Sequence, residues 1–141
     1  MMVLVLEDSG SVFSSLQEIA DVYKIELIKA YQVSDAKDIF DLKRDSIDFI
    51  IADLNVSPVG LTREEINQTK GGILSGWVWL RNYVLKNDKA WENKILIYSE
   101  YVMPLKYHVK MHEFENIKLM EKSRYSIEDV ISYVNYKTKN K

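Results

Sequence analysis

In FIIADLNVSP, residues 49–58, an apolar run stops abruptly on one carboxylate, Asp53. Similar short apolar runs recur along the chain. Together they predict five strands, over residues 2–6, 25–30, 48–52, 94–98 and 116–120. The first and third runs are apolar at nearly every position, which is typical of parallel strands covered on both faces.

Amphipathic patterns separate these runs and predict helices over residues 11–23, 33–44, 76–87 and 126–137. Ser34 is the predicted N-cap of the second helix, and Ser126 with Asp129 resembles a capping box. Residues 101–113 are ambiguous, since Pro104 suits only a first helical turn. Strands alternating with helices predict an α/β fold with a doubly wound parallel sheet.

The composition fits one soluble domain, with 141 residues of which 47% are hydrophobic and 28% charged. A net charge of −2 predicts no direct nucleic-acid partner. The absence of cysteine excludes disulfides and thiol chemistry. The amino terminus does not resemble a signal peptide, and no apolar run approaches the roughly 18 residues of a membrane span. We therefore expect a cytoplasmic protein without membrane insertion.

Polar side chains follow the predicted strands at the edge where an open α/β sheet binds its ligands. They are Glu7 and Asp8 after the first strand, Asp53 after the third, Ser99 after the fourth, and Glu121 and Lys122 at the end of the fifth. Taken singly, each could be a helix cap or an ordinary surface residue. Together, the acids after the first and third strands would repel one another unless a cation intervened, and such oxygen ligands suit Mg²⁺. A lysine and a hydroxyl beside them indicate a phosphoryl-transfer site with a carboxylate nucleophile.

Four segments resemble the receiver domain of two-component response regulators. They are VLVLEDS (3–9), IIADLNVSP (50–58), ILIYSE (95–100) and IKLMEKS (117–123). The resemblance covers nearly the whole chain apart from about residues 57–75. It implies a flavodoxin-like sheet of strand order 2-1-3-4-5 with helices on both faces. It also implies one domain over residues 1–137, followed by a frayed basic tail over 138–141.

The resemblance also implies roles for individual residues. Asp53 would be the phosphoacceptor, Ser99 would contact the phosphoryl group, and Lys122 would pair with both. The implied Mg²⁺ ligands are the side chains of Glu7, Asp8 and Asp53 and the backbone carbonyl of Asn55. Such a protein is not an enzyme in the usual sense, because it is a phosphoacceptor that assists its own phosphorylation and dephosphorylation. The implied partners are a histidine kinase or phosphotransfer protein and a downstream protein target; a homodimer is left open.

Three departures from the family pattern stand out. Ser123 follows Lys122 where the family usually has proline, so we expect a trans bond. Leu119 replaces the aromatic residue that usually reports the switch. Gly76 matches the glycine that opens the third helix, which leaves an insertion at about residues 57–75. This segment could be a tolerated surface excursion, a lid over Asp53, or a docking element in which TREEINQT (62–69) forms a short helix.

Two other functions compete with a phosphorylated receiver. The departures favour a receiver-like interaction module that acts without phosphorylation. An aspartyl phosphatase resembling haloacid dehalogenases would need an Asp where this chain has Asn55.

The third helical pattern also makes predictions about aromatic residues. Trp77, together with Leu80 and Val84, is predicted to be in the core. Trp79 and Tyr83 are predicted to be exposed or to lie under the insertion. His108 and His112 are predicted to be surface residues.

Overall fold

The structure, a computed structural model, describes residues 1–139. One parallel sheet contains the strands β1 (Met2–Leu6), β2 (Glu26–Ala30), β3 (Phe49–Ala52), β4 (Ile95–Ser99) and β5 (Lys118–Glu121). Their order in the sheet is β2-β1-β3-β4-β5. The predicted parallel sheet and its 2-1-3-4-5 order are therefore confirmed.

Helices connect the strands. They are α1 (Gly10–Val22), α2 (Val33–Lys43), α3 (Arg63–Asn67), α4 (Ser75–Trp79), α5 (Val102–His108) and α6 (Ile127–Lys139). A π-helical turn, Leu80–Leu85, continues α4. Short 3₁₀ turns cover Arg44–Ser46, Lys89–Lys94 and Met111–Glu113. Because α6 continues to Lys139, only residues 140 and 141 of the predicted basic tail lie outside the described residues.

Helices cover both faces of the sheet, and alternate residues of each strand point to opposite faces. Val3 and Val5 of β1 pack in a cluster with residues of α1 and α6. Leu4 and Leu6 belong to the opposite cluster, which contains residues of α2, α4 and α5. The near-continuous apolar character of the strands follows from this double coverage. None of the described helices is long and apolar enough to cross a membrane.

The insertion is ordered by contacts with α2 and α4. The backbone N–H groups of Val33 and Ser34 donate to the carbonyls of Ser57 and Val59, at 3.2 and 2.7 Å. The prediction of Ser34 as N-cap is wrong, since the N-cap of α2 is Gln32, two residues earlier, and its side chain makes no capping bond. Backbone carbonyls of the insertion accept hydrogen bonds from the start of α2 in place of a capping side chain. By contrast, Ser126 and Asp129 exchange the predicted capping hydrogen bonds, at 2.9 and 3.2 Å.

Within the insertion, the predicted short helix forms as α3. Thr62 and Glu65 make a reciprocal capping box at its start. The insertion also adds apolar side chains to the core, since Leu61 and Leu74 are buried in the cluster that contains α2 and α4.

Two aromatic residues of the third predicted helix end in different environments. Trp79 is fully buried and packs edge-on against Phe40, with ring centroids 6.2 Å apart, so the prediction that it is exposed or lies under the insertion is wrong. Tyr83 is half-buried, and its hydroxyl donates to Glu65 of α3 at 2.7 Å. Tyr83 therefore lies under the insertion, which is one of the two positions predicted for it. Trp77 is in the core as predicted.

Gly76 anchors the return of the insertion to the sheet. Its N–H donates to the carbonyl of Leu54 at 2.9 Å. A Cβ atom at this position would overlap the carbonyl oxygen of Asp53. Glycine is required here by close approach of two backbones.

Candidate functional site

The carboxyl ends of the strands meet around a cavity of about 300 Å³. The register of the parallel strands sets where each strand ends along the edge of the sheet. For example, the N–H of Asp53 donates to the carbonyl of Leu6 at 2.9 Å. The cavity is lined by Glu7, Asp8, Ser9, Val12, Asp53, Asn55, Glu100, Tyr101 and Lys122. We call it the strand-edge cavity.

Three carboxylates converge in this cavity. One oxygen from each of Glu7, Asp8 and Asp53 lies within 4.8 Å of the others. The side chains of Glu7 and Asp53 are buried, whereas that of Asp8 is exposed. This donor set is composed of hard oxygen ligands and is open to solvent on one side, which is the kind of site that Mg²⁺ occupies while keeping several waters.

Lys122 lies between the two buried acids. Its Nζ donates to Glu7 Oε1 at 2.7 Å and to Asp53 Oδ2 at 3.0 Å. Burial alone would lower the pKa of Lys122, but the hydrogen bond to Glu7 and the charge of Asp53 outweigh it and raise that pKa. Lys122 is therefore a fixed cation, and the two acids share it.

The charge of Glu7 is incompletely compensated. Burial raises the pKa of Glu7, and the neighbouring Asp53 charge acts in the same direction. The bonds from Lys122 and from the Ser9 N–H, at 3.0 Å, only partly oppose these effects. The cavity thus favours an additional cation, because a cation would relieve repulsion between acids that one lysine cannot neutralise.

Ser99 is fully buried beside Asp53. Its Oγ accepts from the N–H groups of Leu54 and Tyr101, at 3.4 and 3.1 Å. The Leu54 N–H also donates to Asp53 Oδ1 at 2.7 Å. One backbone amide therefore connects the hydroxyl with the carboxylate, and the remaining hydroxyl proton is available to a group placed against Asp53.

The structure brings most of the predicted site residues together. Glu121, in contrast, does not line the cavity and pairs with Arg124 at 3.5 Å. Sequence reasoning missed Glu100 and Tyr101, which line the wall after β4. They directly follow Ser99, so extending the strand-end rule by two residues would have found them.

The departures from the family pattern have simple structural outcomes. The described chain contains no cis peptide bond, so the predicted trans bond between Lys122 and Ser123 is confirmed. Leu119 pairs in register with Ile97 of β4 and packs against the core. His108 and His112 are exposed, as predicted, and only His108 belongs to α5.

The insertion lies away from the strand-edge cavity. No residue of the segment 57–75 lines that cavity. In this structure the segment is packed against α2 and the π turn, which is not the position of a lid over Asp53.

Comparison with known proteins shows likeness of structure only. No protein-family model matches the chain, and no curated protein matches it. A response-regulator receiver domain from Clostridium thermocellum superposes with a TM-score of 0.69 at 16% identity, covering 99% of this chain and 94% of that one. A Francisella response-regulator receiver domain gives a TM-score of 0.68 at 18% identity, covering 99% and 97%.

A third solved structure is described as an atypical orphan response regulator with a phosphorylation-independent regulatory mechanism. It gives a TM-score of 0.62 at 12% identity and covers 99% of this chain and 96% of that one. These likenesses, together with the strand order, show that this chain has the receiver-domain fold.

Proposed function

We propose that this chain is a phosphoacceptor receiver of a two-component phosphorelay, with Asp53 as the acceptor. The observation that carries the proposal is the arrangement around Asp53. Its carboxylate lies within 4.8 Å of the carboxylates of Glu7 and Asp8, and 3.0 Å from Lys122 Nζ. A buried nucleophile, a set of carboxylates suited to a divalent cation and a fixed ammonium are the components that phosphoryl transfer requires.

In the proposed reaction, a carboxylate oxygen of Asp53 attacks the phosphorus atom of a phosphohistidine on a kinase or phosphotransfer protein. An O–P bond forms as the P–N bond breaks, and the imidazole leaves with the bonding electron pair. Hydrolysis by water later cleaves the acyl phosphate, releases inorganic phosphate and restores the carboxylate. The chain contributes by positioning and by charge neutralisation.

Glu7, Asp8, Asp53 and the carbonyl of Asn55 would hold Mg²⁺, which when bound neutralises charge on the phosphoryl oxygens. Lys122 would shift its hydrogen bond from Asp53 to a phosphoryl oxygen, as its flexible stem permits. Ser99 would donate its hydroxyl proton to a second phosphoryl oxygen. Since its Oγ also accepts from the Tyr101 N–H, this movement would reach the start of α5.

The output would be a change in docking to a downstream protein, through a two-state equilibrium at the face formed by β4, α5 and β5. Because Leu119 replaces the usual aromatic reporter, Ser99 and the Tyr101 backbone carry the coupling in this proposal. Cytoplasmic location follows from the same proposal.

The experiment is intact-mass spectrometry after incubation with acetyl phosphate and Mg²⁺. We expect one phosphoryl adduct on the wild-type chain and none on Asp53→Asn. The matched control is Asp45→Asn, an exposed acid outside the cavity, which should label like the wild type. Omitting Mg²⁺ and adding EDTA should abolish the adduct in every variant.

An unlabelled but folded wild-type chain, with a known receiver labelled in parallel, would contradict the proposal. It would favour the alternative of an interaction module that acts without phosphate. The observations behind this alternative are that Ser123 and Leu119 depart from the family pattern and that the chain carries the insertion at about residues 57–75. On that reading, Asp53→Asn should leave partner binding unchanged.

A further inference from the structure

A second cavity, of about 380 Å³, lies between the insertion and α5. The insertion supplies half of its lining, and the remainder comes from α4 with its π turn and from the end of α5. The lining residues are Asn67, Gln68, Lys70, Leu74, Trp77, Arg81, His108 and Val109. We call it the insertion cavity.

The insertion cavity differs in charge from four other cavities, two of which share Arg81 with it. Its lining includes two permanent cations, Lys70 and Arg81, together with His108, and no carboxylate. Four further cavities in the described part of the molecule are each lined by at least two carboxylates. On a chain with net charge −2, this cationic lining is a local exception that favours an anion.

The two permanent cations of the insertion cavity form no ion pair with a carboxylate of the described chain. Across residues 1–139, neither Lys70 nor Arg81 takes part in an ion pair. Arg81 uses two N–H donors, one to the Gln68 side-chain oxygen and one to Asn82 Oδ1 at 3.2 Å. Three of the five N–H donors of Arg81 are therefore left for a ligand, and so is the side-chain amide nitrogen of Gln68.

A buried donor also lacks a partner here. Trp77 is only 1% exposed, and its indole Nε1 has no hydrogen-bond acceptor in the described chain. Buried N–H groups without acceptors are uncommon because each costs the desolvation of a polar group. The indole Nε1 of Trp79, which does not line this cavity, is likewise without an acceptor, and both atoms are closed to solvent. Because Trp77 lines the insertion cavity, its indole reports on a ligand bound there.

The cavity also has an apolar wall, formed by Leu74, Val109 and the Trp77 ring. Its volume falls within the range of small-molecule sites, which combine apolar walls with a few converging polar groups. We propose that the insertion cavity binds a small organic anion, meaning one phosphate or carboxylate group on an apolar body.

The test is a titration of the full chain followed by ¹H–¹⁵N correlation of the tryptophan indoles, in EDTA so that Mg²⁺ is absent. The probes are phenyl phosphate, benzoate, inorganic phosphate and neutral phenol. The Trp77→Phe variant assigns the Trp77 indole signal. We expect phenyl phosphate or benzoate to shift this signal saturably, while the indole signals of Trp79 and Trp91 stay in place and phenol has no effect.

Comparing the affinities for phenyl phosphate and benzoate identifies whether the cavity prefers a phosphate or a carboxylate group. Affinity for inorganic phosphate equal to that for phenyl phosphate would overturn the inference of an organic ligand. The absence of any saturable shift with all four probes would overturn the site itself.

Substitutions locate the binding. Lys70→Gln and Arg81→Gln should each weaken binding by about tenfold, because each removes a charged donor. Lys70 is exposed and makes no hydrogen bond in the described structure, so its variant should fold even if Arg81→Gln loosens the insertion. The matched control is Lys89→Gln, a lysine that lines a neighbouring cavity but not this one. Equal weakening by Lys89→Gln would show diffuse charge attraction and overturn the site.

The site is independent of the proposed phosphoacceptor, and one variant separates the two. Asp53→Asn should retain anion binding at the insertion cavity while losing acetyl phosphate labelling. Loss of the Trp77 shift in Asp53→Asn would show that the two sites are not independent and would contradict this inference.

Discussion

Glu7 in the strand-edge cavity and Glu65 in the insertion are partly or fully buried glutamates with opposite electrostatic surroundings. Glu65 accepts from the Thr62 N–H at 2.9 Å, from Asn82 at 2.9 Å and from Tyr83 at 2.7 Å. Burial would raise the pKa of Glu65, but these bonds overcome it and lower that pKa. Glu7 shares one lysine with Asp53, and burial raises its pKa.

The difference separates a carboxylate whose charge is satisfied within the fold from one whose neighbourhood carries excess negative charge. Around Glu65, three hydrogen-bond donors converge on one carboxylate. Burial, and then the hydrogen bond to Glu65 and its charge, raise the pKa of Tyr83 to about 12. Around Glu7, negative charge exceeds the cations present. A stability measurement can therefore distinguish the two regions without a ligand.

The point where the two regions touch should give the largest effect. Gly76→Ala forces its Cβ against the carbonyl oxygen of Asp53, so we expect a loss of about 3 kcal/mol in the free energy of unfolding, measured in urea. Gly10→Ala is the matched control, since nothing lies within 4 Å of the added atom. A cost for Gly76→Ala no larger than that of Gly10→Ala would show that the insertion and the strand end can separate.

The next largest effect is expected in the insertion. Glu65→Gln should destabilise the protein by about 1.5 kcal/mol at pH 7, because it weakens charged hydrogen bonds. The lowered pKa of Glu65 sets the sign: this stabilisation is present above pH 4.5 and is lost as pH falls through the folded-state pKa. Urea unfolding at several pH values measures it. A constant difference between variant and wild type down to the acid limit would contradict the assignment.

The smallest effect has the opposite sign. Glu7→Gln should stabilise the protein by about 1 kcal/mol at pH 7 in EDTA, since it relieves repulsion with Asp53 while Lys122 remains paired. Because the pKa of Glu7 is raised, the native wild-type state holds this proton more tightly than the unfolded chain does. The advantage of the variant should therefore grow as pH rises from 4.5 through the folded-state pKa, and vanish below that window. Destabilisation at pH 7 would show that Lys122 and Ser9 fully compensate Glu7.

The same comparison explains what the sequence could predict. The strand-edge cavity is built by strand ends, and each strand is a local apolar run, so Glu7, Asp53 and Lys122 could be brought together from spacing and topology alone. The position of Ser99 followed from the same rule.

The errors trace to the insertion and to the helix that follows it, whose contacts are not local. The hydrogen bond from Ser34 to Val59 has no local signal, because nothing near Ser34 in the sequence indicates a segment packed against the start of α2. The burial of Trp79 has no local signal either, because all five residues of α4 are buried. An amphipathic pattern assigns one exposed face to a helix, and α4 has none.

Backbone hydrogen bonds fix both ends of the insertion. The N–H of Val33 holds the carbonyl of Ser57 at one end, and the N–H of Gly76 donates to the carbonyl of Leu54 at the other. The chain between these points therefore closes a loop whose ends are already fixed, and each doubling of its length would cost only about 0.6 kcal/mol of closure entropy. Residues added between its anchors, outside α3 and the buried Leu61 and Leu74, would leave the geometry at Asp53 the same, which makes the segment a position where new binding surface can be added to an unchanged sheet.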